Sequence, residues 1–169
     1  VASAIDGDAP ADVGSSIEPE MLRLGQVVPV NDFVGFAATV SPDGRWFAHE
    51  LDREICLSEI VGDVQVCEEY PYPVGNLDWH PESTSVIVSS WPEGNLRFGP
   101  VVMIGTDGSS EALLEPPPDD DSDGRRFEGP YRASFLPDGT VVYNELRDEA
   151  GEWVLRLMHL TPDGTEELA

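Results

Sequence analysis

The stretch Ser41-Pro42-Asp43-Gly44 decides the fold, because it predicts a turn between two strand-like runs. Proline fixes φ at the second position of a turn, aspartate can hydrogen-bond the turn backbone, and glycine accepts the conformation that a hairpin needs. Variants of this turn recur as His80-Pro81-Glu82-Ser83 and as Leu136-Pro137-Asp138-Gly139. A short apolar segment lies on each side of every copy. The repetition predicts a protein built from three similar β-units.

Each unit is predicted to contain four short antiparallel strands. Pro42 and Pro81 are 39 residues apart, a spacing typical of one four-stranded propeller blade. Pro81 and Pro137 are 56 residues apart, and an insertion at residues 116–130 accounts for the longer spacing. No stretch has sustained helical periodicity, so the chain is predicted to be all-β. The predicted units cover approximately residues 35–70, 75–115 and 131–168.

The chain is predicted to consist of a leader followed by one repeat domain. Residues 1–20 are rich in Ala, Gly, Asp, Ser and Pro without periodicity, which predicts a flexible acidic leader or tether. Residues 21–169 are assigned to the β-propeller-like domain, which is long enough to bury a substantial core. No apolar run reaches the roughly 18 residues of a transmembrane helix, so no membrane span is predicted.

The charge of the chain restricts its partners. Acidic residues number 33 against 9 basic residues, and the formal net charge is −24 at pH 7. Phosphate backbones are bound by clustered positive charge, so we predict that the protein does not bind nucleic acid. Strong acidity favours a cationic partner or a bound metal ion, and a solvated acidic surface without a specific partner is the alternative.

The two cysteines, Cys56 and Cys67, flank a predicted hairpin. If Val61 and Gly62 form its two-residue turn, counting outward along both strands places Cys56 opposite Cys67. Directly opposed residues in antiparallel strands are close enough to form a disulfide. We therefore predict a disulfide and an oxidising compartment. Two buried, reduced thiols that act as small apolar residues are the alternative.

The predicted insertion contains a possible calcium loop. Aspartates at alternate positions followed by Gly124 match the start of a calcium-binding loop, where carboxylates converge on one cation and glycine permits a sharp turn. The late glutamate of an EF-hand is missing, since Pro130 stands in its place, and Glu128 is the nearest substitute. The alternative is a disordered acidic loop. The candidate Ca²⁺ ligands are Asp119, Asp121, Asp123 and Glu128.

The sequence contains no recognisable catalytic motif, and no catalytic residue is predicted. A Gly-x-Ser-x-Gly nucleophile elbow is absent from the chain. His49, His80 and His159 are dispersed in or beside predicted strands. His80 lies in a turn, where a histidine is expected to satisfy a turn hydrogen bond. The protein is therefore predicted not to be an enzyme.

Aromatic residues at predicted strand ends indicate a partner surface. Most tryptophans and tyrosines lie within predicted strands, where they are expected to pack between units. Tyr70-Pro71-Tyr72-Pro73 and Trp91-Pro92 lie at the ends of predicted strands and, with Asn95 to Phe98, belong to loops, which commonly carry binding residues. The predicted partner-binding residues are Tyr70, Tyr72, Trp91, Arg97 and Phe98.

The turn and its flanking strands resemble the TolB-like (PD40, WD40-like) β-propeller repeat. The similarity extends from about Phe36 to the C-terminus, and the second unit departs from it where Glu82-Ser83 replaces Asp-Gly. The resemblance implies four-stranded blades, an extracytoplasmic location and a binding scaffold, or a propeller domain attached to a serine peptidase. Propellers close with about 4–8 blades, so three units predict a partial propeller or one that assembly completes.

We therefore predict a non-enzymatic, periplasmic, secreted or cell-surface binding or structural subunit. It would contact protein partners, within a larger complex or a homo-oligomer, through its propeller-like scaffold. One alternative is the propeller portion of a serine peptidase or other hydrolase whose catalytic domain is elsewhere. Another is a calcium-dependent ligand-binding module.

Overall fold

The computed structural model describes residues 37–91, 98–116 and 128–168. All of them belong to one compact unit, Asp32–Ala169. The predicted leader at residues 1–20 and most of the predicted insertion lie outside the described residues. Within the described ranges the protein forms β-strands and no helix, which confirms the all-β prediction. It follows that this part of the chain has no helix that could cross a membrane.

The described strands form three antiparallel sheets of four strands each. The first sheet contains β1 (Ala38–Val40), β2 (Trp46–Leu51), β3 (Glu54–Glu59) and β4 (Gln65–Glu69). The second contains β5 (Val74–Trp79), β6 (Ser85–Ser90), β7 (Val101–Gly105) and β8 (Ser110–Leu114). The third contains β9 (Gly129–Phe135), β10 (Val141–Glu149), β11 (Glu152–Thr161) and β12 (Gly164–Glu167). Strands that follow each other within a sheet also pair with each other, as predicted for three repeated units.

The recurring turns join the first two strands of each sheet. In the first turn the Gly44 N–H donates to the Ser41 carbonyl over 2.9 Å. The Asp43 carboxylate accepts hydrogen bonds from the Ser41 hydroxyl (2.6 Å) and the Arg45 N–H (3.0 Å). These hydrogen bonds hold the pKa of Asp43 below its usual value near 3.8, the Ser41 hydroxyl making the largest contribution. The aspartate therefore braces the turn in its ionised form.

The second unit makes the same turn without glycine. Ser83 has a φ of 61°, close to the 71° of Gly44 and the 84° of Gly139. Its N–H donates to the His80 carbonyl over 2.8 Å. The Ser83 hydroxyl accepts a hydrogen bond from the Asp43 N–H of the first unit over 3.1 Å. Serine thus offsets its unfavourable left-handed backbone with a contact that glycine could not make.

In the described part of the chain the core consists of two apolar clusters, one on each side of the second sheet. Side chains of the first and second sheets form one cluster, and side chains of the second and third sheets form the other. β6 is buried along its whole length, with Val86 and Val88 facing the first sheet and Ile87 facing the third. The alternation of side chains along a strand allows one strand to serve both clusters.

At each contact between neighbouring sheets, two hydrogen-bonded pairs share the same sequence separation. Between the first and second sheets, the two hydrogen-bonded pairs are each separated by 40 residues: Thr39 with Trp79, and Asp43 with Ser83. This is one residue more than the 39-residue spacing of the first two turn prolines. Between the second and third sheets, two hydrogen-bonded pairs are separated by 57 residues: Asn76 with Ala133, and Asp78 with Phe135. This is again one more than the 56-residue spacing, here of Pro81 and Pro137. At both contacts between sheets, these hydrogen bonds therefore join positions that are displaced by one residue relative to the repeated turns, as expected for stacked repeats.

Candidate binding cleft

An open cleft of about 640 Å³ lies at the end of the sheets opposite the recurring turns. In an antiparallel meander, alternate connections lie at opposite ends of the sheet. The β2–β3 turn, the β4–β5 connection and the end of β6 therefore share one end. The cleft is lined by Glu50, Asp52, Arg53, Tyr70, Pro71, Tyr72, Pro73, Val74, Gly75, Trp91 and Arg132.

Backbone hydrogen bonds join the segments that line the cleft. The Tyr70 N–H donates to the Arg53 carbonyl over 2.6 Å, and the Trp91 N–H donates to the Pro73 carbonyl over 3.0 Å. The Tyr70 hydroxyl donates to the Pro100 carbonyl over 2.9 Å. Burial raises the pKa of Tyr70, so the hydroxyl keeps the proton for this bond. The cleft wall is consequently held in place before any ligand arrives.

The predicted partner residues divide between the cleft and the interior. Tyr70 and Tyr72 line the cleft and meet edge to face, with ring centroids 5.6 Å apart, although Tyr70 is only 3% exposed. Trp91 lines the cleft with 44% of its surface exposed. Phe98 is 1% exposed, so its side chain belongs to the core and not to the surface. Arg97 lies outside the described residues.

Phe98 supports the exposed tryptophan indirectly. Its ring stacks on Tyr131 with centroids 5.3 Å apart, and Tyr131 meets Trp91 edge to face at 5.9 Å. The Arg132 guanidinium lies over the Trp91 ring, 5.0 Å from the centroid. This arrangement, called the aromatic column below, consists of Phe98, Tyr131, Trp91 and Arg132. It extends from buried Phe98 to Trp91 and Arg132 in the lining of the cleft.

Two β-bulges shape the cleft, and both lie on first strands of sheets. β5 has an irregular register between Val74 and Asn76, and Gly75 is the additional residue. A Cβ at Gly75 would lie 2.8 Å from the Ser90 carbonyl carbon, so only glycine fits there. In β9, Arg132 and Ala133 lie opposite a single residue of β10, so β9 has one additional residue there. Arg132 has a φ of 51° at this bulge. Bulges redirect side chains and are frequent beside functional sites.

The sequence pattern does not single out Arg132, which is an important residue of the cleft. Glycine inside a strand pattern is a known signal for a bulge, so Gly75 could have been identified. An arginine in left-handed backbone gives no such signal, because its preferred conformations are extended or helical. The residue is found only from the register of β9 and β10.

The predicted calcium site cannot be assembled from the described residues. Asp119, Asp121 and Asp123 lie outside them. The Glu128 carboxylate is described, and it accepts a hydrogen bond from the Asp148 N–H over 3.0 Å. Elsewhere in the described ranges, Glu54, Cys56 and Cys67 are close enough to hold a metal ion. Because the two sulfurs form a disulfide, they are not available as thiolate ligands.

The third sheet contains hydrogen bonds that superficially match a catalytic triad. His159 lies between Glu166 at Nδ1 and Thr140 at Nε2, each contact being 2.9 Å. The Thr140 hydroxyl donates its proton to Asp138 over 2.6 Å, and the Thr140 N–H donates to the same carboxylate. The Gly139 N–H donates to the Leu136 carbonyl. Thr140 is thus held by turn hydrogen bonds, and neither amide is available to an oxyanion.

His80 has the role expected for a histidine in a turn. Its Nδ1 accepts a hydrogen bond from the Glu82 N–H over 3.2 Å. The ring also meets Phe135 edge to face, with centroids 5.0 Å apart. His80 therefore links the turn of the second sheet to the third sheet and has a structural function.

The face of the third sheet that points away from the second sheet carries an apolar patch. Met158 of β11 packs into the core, so alternate residues of β11 face outward. Leu155 is 55% exposed and Leu157 is 39% exposed. Leu146 pairs directly with Leu155 and extends the same face. We call Leu146, Leu155 and Leu157 the outer leucine patch.

Comparison with known proteins does not assign the chain to a family. No protein-family model matches the sequence, and no curated protein matches it. The resemblance to TolB-like repeats therefore remains a prediction from the turn motif and the strand pattern.

Proposed function

We propose that the protein is a non-enzymatic, extracytoplasmic binding subunit with a β-propeller-like scaffold of the TolB type. The observation that carries the proposal is the aromatic column, which ends in a half-exposed tryptophan and an arginine inside an open cleft. Tryptophan, tyrosine and arginine are enriched in the centres of protein interfaces. The Cys56–Cys67 disulfide is compatible with an oxidising, extracytoplasmic compartment.

Replacement of Trp91 by alanine is expected to abolish most of the binding at the cleft. Trp91 combines an exposed face with support from Tyr131 and Arg132, the features of an interface hot spot. Selection from a random dodecapeptide phage library should yield peptides that bind the immobilised protein. We expect Trp91→Ala to weaken these peptides at least about tenfold, measured by biolayer interferometry.

Trp153→Ala is the matched control, because Trp153 is similarly exposed (51%) but belongs to β11 and does not line the cleft. Its effect on peptide binding should be less than twofold. Selection of no binding peptide, or equal losses for the two variants, would contradict a binding role for the cleft.

The structural part of the proposal is self-association through the outer leucine patch. The first and second sheets, and the second and third sheets, already pack through apolar faces. The outer leucine patch is a further apolar face of this kind. We propose that, in the isolated protein, a second copy of the chain covers it. Since each copy has a formal charge of −24, salt should strengthen the dimer by screening repulsion.

Leu155→Glu together with Leu157→Glu is expected to convert the dimer to a monomer. Sedimentation velocity in about 0.15 M and 0.5 M NaCl measures the change, and the wild-type dimer should increase with salt. Val61→Glu with Val64→Glu adds the same charge to exposed residues beside the β3–β4 turn and should leave the dimer intact. A monomeric wild-type chain in both salt concentrations would show that the patch does not bind a second copy.

A further inference from the structure

We propose that the cleft binds a carboxylate group of a peptide segment. Arg132 is the residue that contacts the carboxylate directly, and Arg53 is the second cation. This inference rests on the proposed binding function and specifies the chemistry that the cleft recognises. The expected ligand is an extended segment with one acidic residue and apolar neighbours.

The pairing of the described arginines supports this assignment. Three of the five form ion pairs, and the remaining two, Arg53 and Arg132, have no ion pair with any described carboxylate. Both of the latter line the cleft. In a chain with 33 acidic and 9 basic residues, cations without a carboxylate partner are unexpected. The paired arginines are Arg45 with Glu59, Arg147 with Glu145, and Arg156 with Glu149 and Glu167.

The backbone at Arg132 is costly and therefore informative. A φ of 51° is unfavourable for arginine, and such conformations in folded proteins concentrate at functional sites. The bulge at Arg132 turns the side chain towards Trp91, whereas a regular strand would continue the alternation of faces. Gly75 of β5 also lines the cleft, and the backbone of Ser90 and Trp91 occupies the position that its Cβ would take, so β5 packs directly against the chain that carries Trp91.

The Arg132 guanidinium is held beside Trp91 in the lining of the cleft, where a carboxylate can reach it. Its central carbon lies 5.0 Å from the centroid of the Trp91 ring, and the N–H groups of a guanidinium donate in its plane. Those N–H groups match the two oxygens of a carboxylate. Trp91 is itself positioned by Tyr131 and Phe98. These three rings are therefore in contact before a ligand binds, so Trp91 has less side-chain freedom to lose on binding, which favours affinity.

The surroundings of the two arginines favour a singly charged group. Glu50 and Asp52 also line the cleft, and the chain as a whole is strongly acidic. Phosphate groups and nucleic acids, which carry more negative charge, would be repelled. The rest of the lining includes Pro71, Tyr72 and Val74, which offer apolar contact to residues beside the carboxylate. A peptide provides both features, and a small organic acid provides only the charge.

Fluorescence anisotropy with two peptide pools tests the proposal. Both are fluorescein-labelled heptapeptide pools with random flanking residues, and they differ only in glutamate or glutamine at the centre. We expect the wild-type protein to bind the glutamate pool about tenfold more tightly. N-acetylglutamate α-amide should compete weakly, because it lacks the apolar neighbours.

Arg132→Gln should remove the preference for glutamate, and Arg132→Lys should retain only part of it, since lysine cannot form the bidentate contact. Arg45→Gln is the matched control, because Arg45 is an exposed arginine paired with Glu59 away from the cleft, and it should preserve the preference. Circular dichroism and thermal unfolding check that the variants fold.

The outcomes separate this inference from the proposed function. If both pools bind equally and Trp91→Ala weakens both, the cleft binds peptides without recognising a carboxylate, and the inference is overturned alone. If neither pool binds, both proposals are overturned. If N-acetylglutamate α-amide binds as tightly as the glutamate pool, the ligand is a small acid and the peptide assignment is wrong.

Discussion

Removal of the Cys56–Cys67 disulfide is expected to lower the free energy of unfolding by about 3 kcal/mol. The two residues are directly opposed in β3 and β4, with a sequence separation of 11. The bond therefore restricts the unfolded chain by closing a short loop. β4 is the last strand of the first sheet, and its outward residues are exposed. We expect it to open first when the bond is absent.

Guanidinium unfolding of the oxidised protein and of the double variant Cys56→Ala with Cys67→Ala measures this loss. Cys56 is fully buried, so alanine also removes some packing. The reduced wild-type protein separates the two effects, because it lacks the bond but keeps the sulfur atoms. Hydrogen exchange should show faster exchange in β4 than in β6. Equal denaturation midpoints for oxidised and reduced wild type would mean that the disulfide contributes no stability.

The repeated turns were predictable from sequence because their information is local. Pro42 and Gly44 fix the first turn, and the strands on either side follow from short apolar runs. The opposition of Cys56 and Cys67 followed from counting along one hairpin, and the register confirms it. The β10–β11 hairpin pairs as far as Glu149 and Glu152. Its turn uses Ala150 at a φ of 56°, and alanine gives no sequence signal for that conformation.

The cleft was predicted only in part, because it depends on contacts between units. Tyr72 and Trp91 could be assigned to loops at strand ends, and both line the cleft. The burial of Phe98 depends on Tyr131 of the third sheet, which no local pattern specifies. The left-handed Arg132 likewise results from the register of β9 against β10. Sequence patterns therefore predict the three sheets and the approximate position of the cleft, but not Arg132, the arginine that we propose contacts the carboxylate.

Gly139→Ala is expected to destabilise the protein by about 2–3 kcal/mol, and Gly44→Ala by about 1 kcal/mol. Both glycines occupy the last position of the recurring turn with positive φ, 84° and 71°. Alanine therefore incurs a similar backbone cost at each. They differ in their surroundings, since a Cβ at Gly139 would lie 2.7 Å from Nε2 of His80, whereas nothing lies within 4 Å of one at Gly44.

His80 cannot easily move away, because Phe135 contacts its ring and the Glu82 N–H donates to its Nδ1. The additional loss at Gly139 should therefore measure the close contact between the turns of the second and third sheets. A double-mutant cycle tests this, with free energies of unfolding taken from guanidinium denaturation. In a His80→Ala background, Gly139→Ala should cost no more than Gly44→Ala does. Equal losses for the two glycine variants in the wild-type background would mean that the packing of these turns contributes little to the stability of the junction.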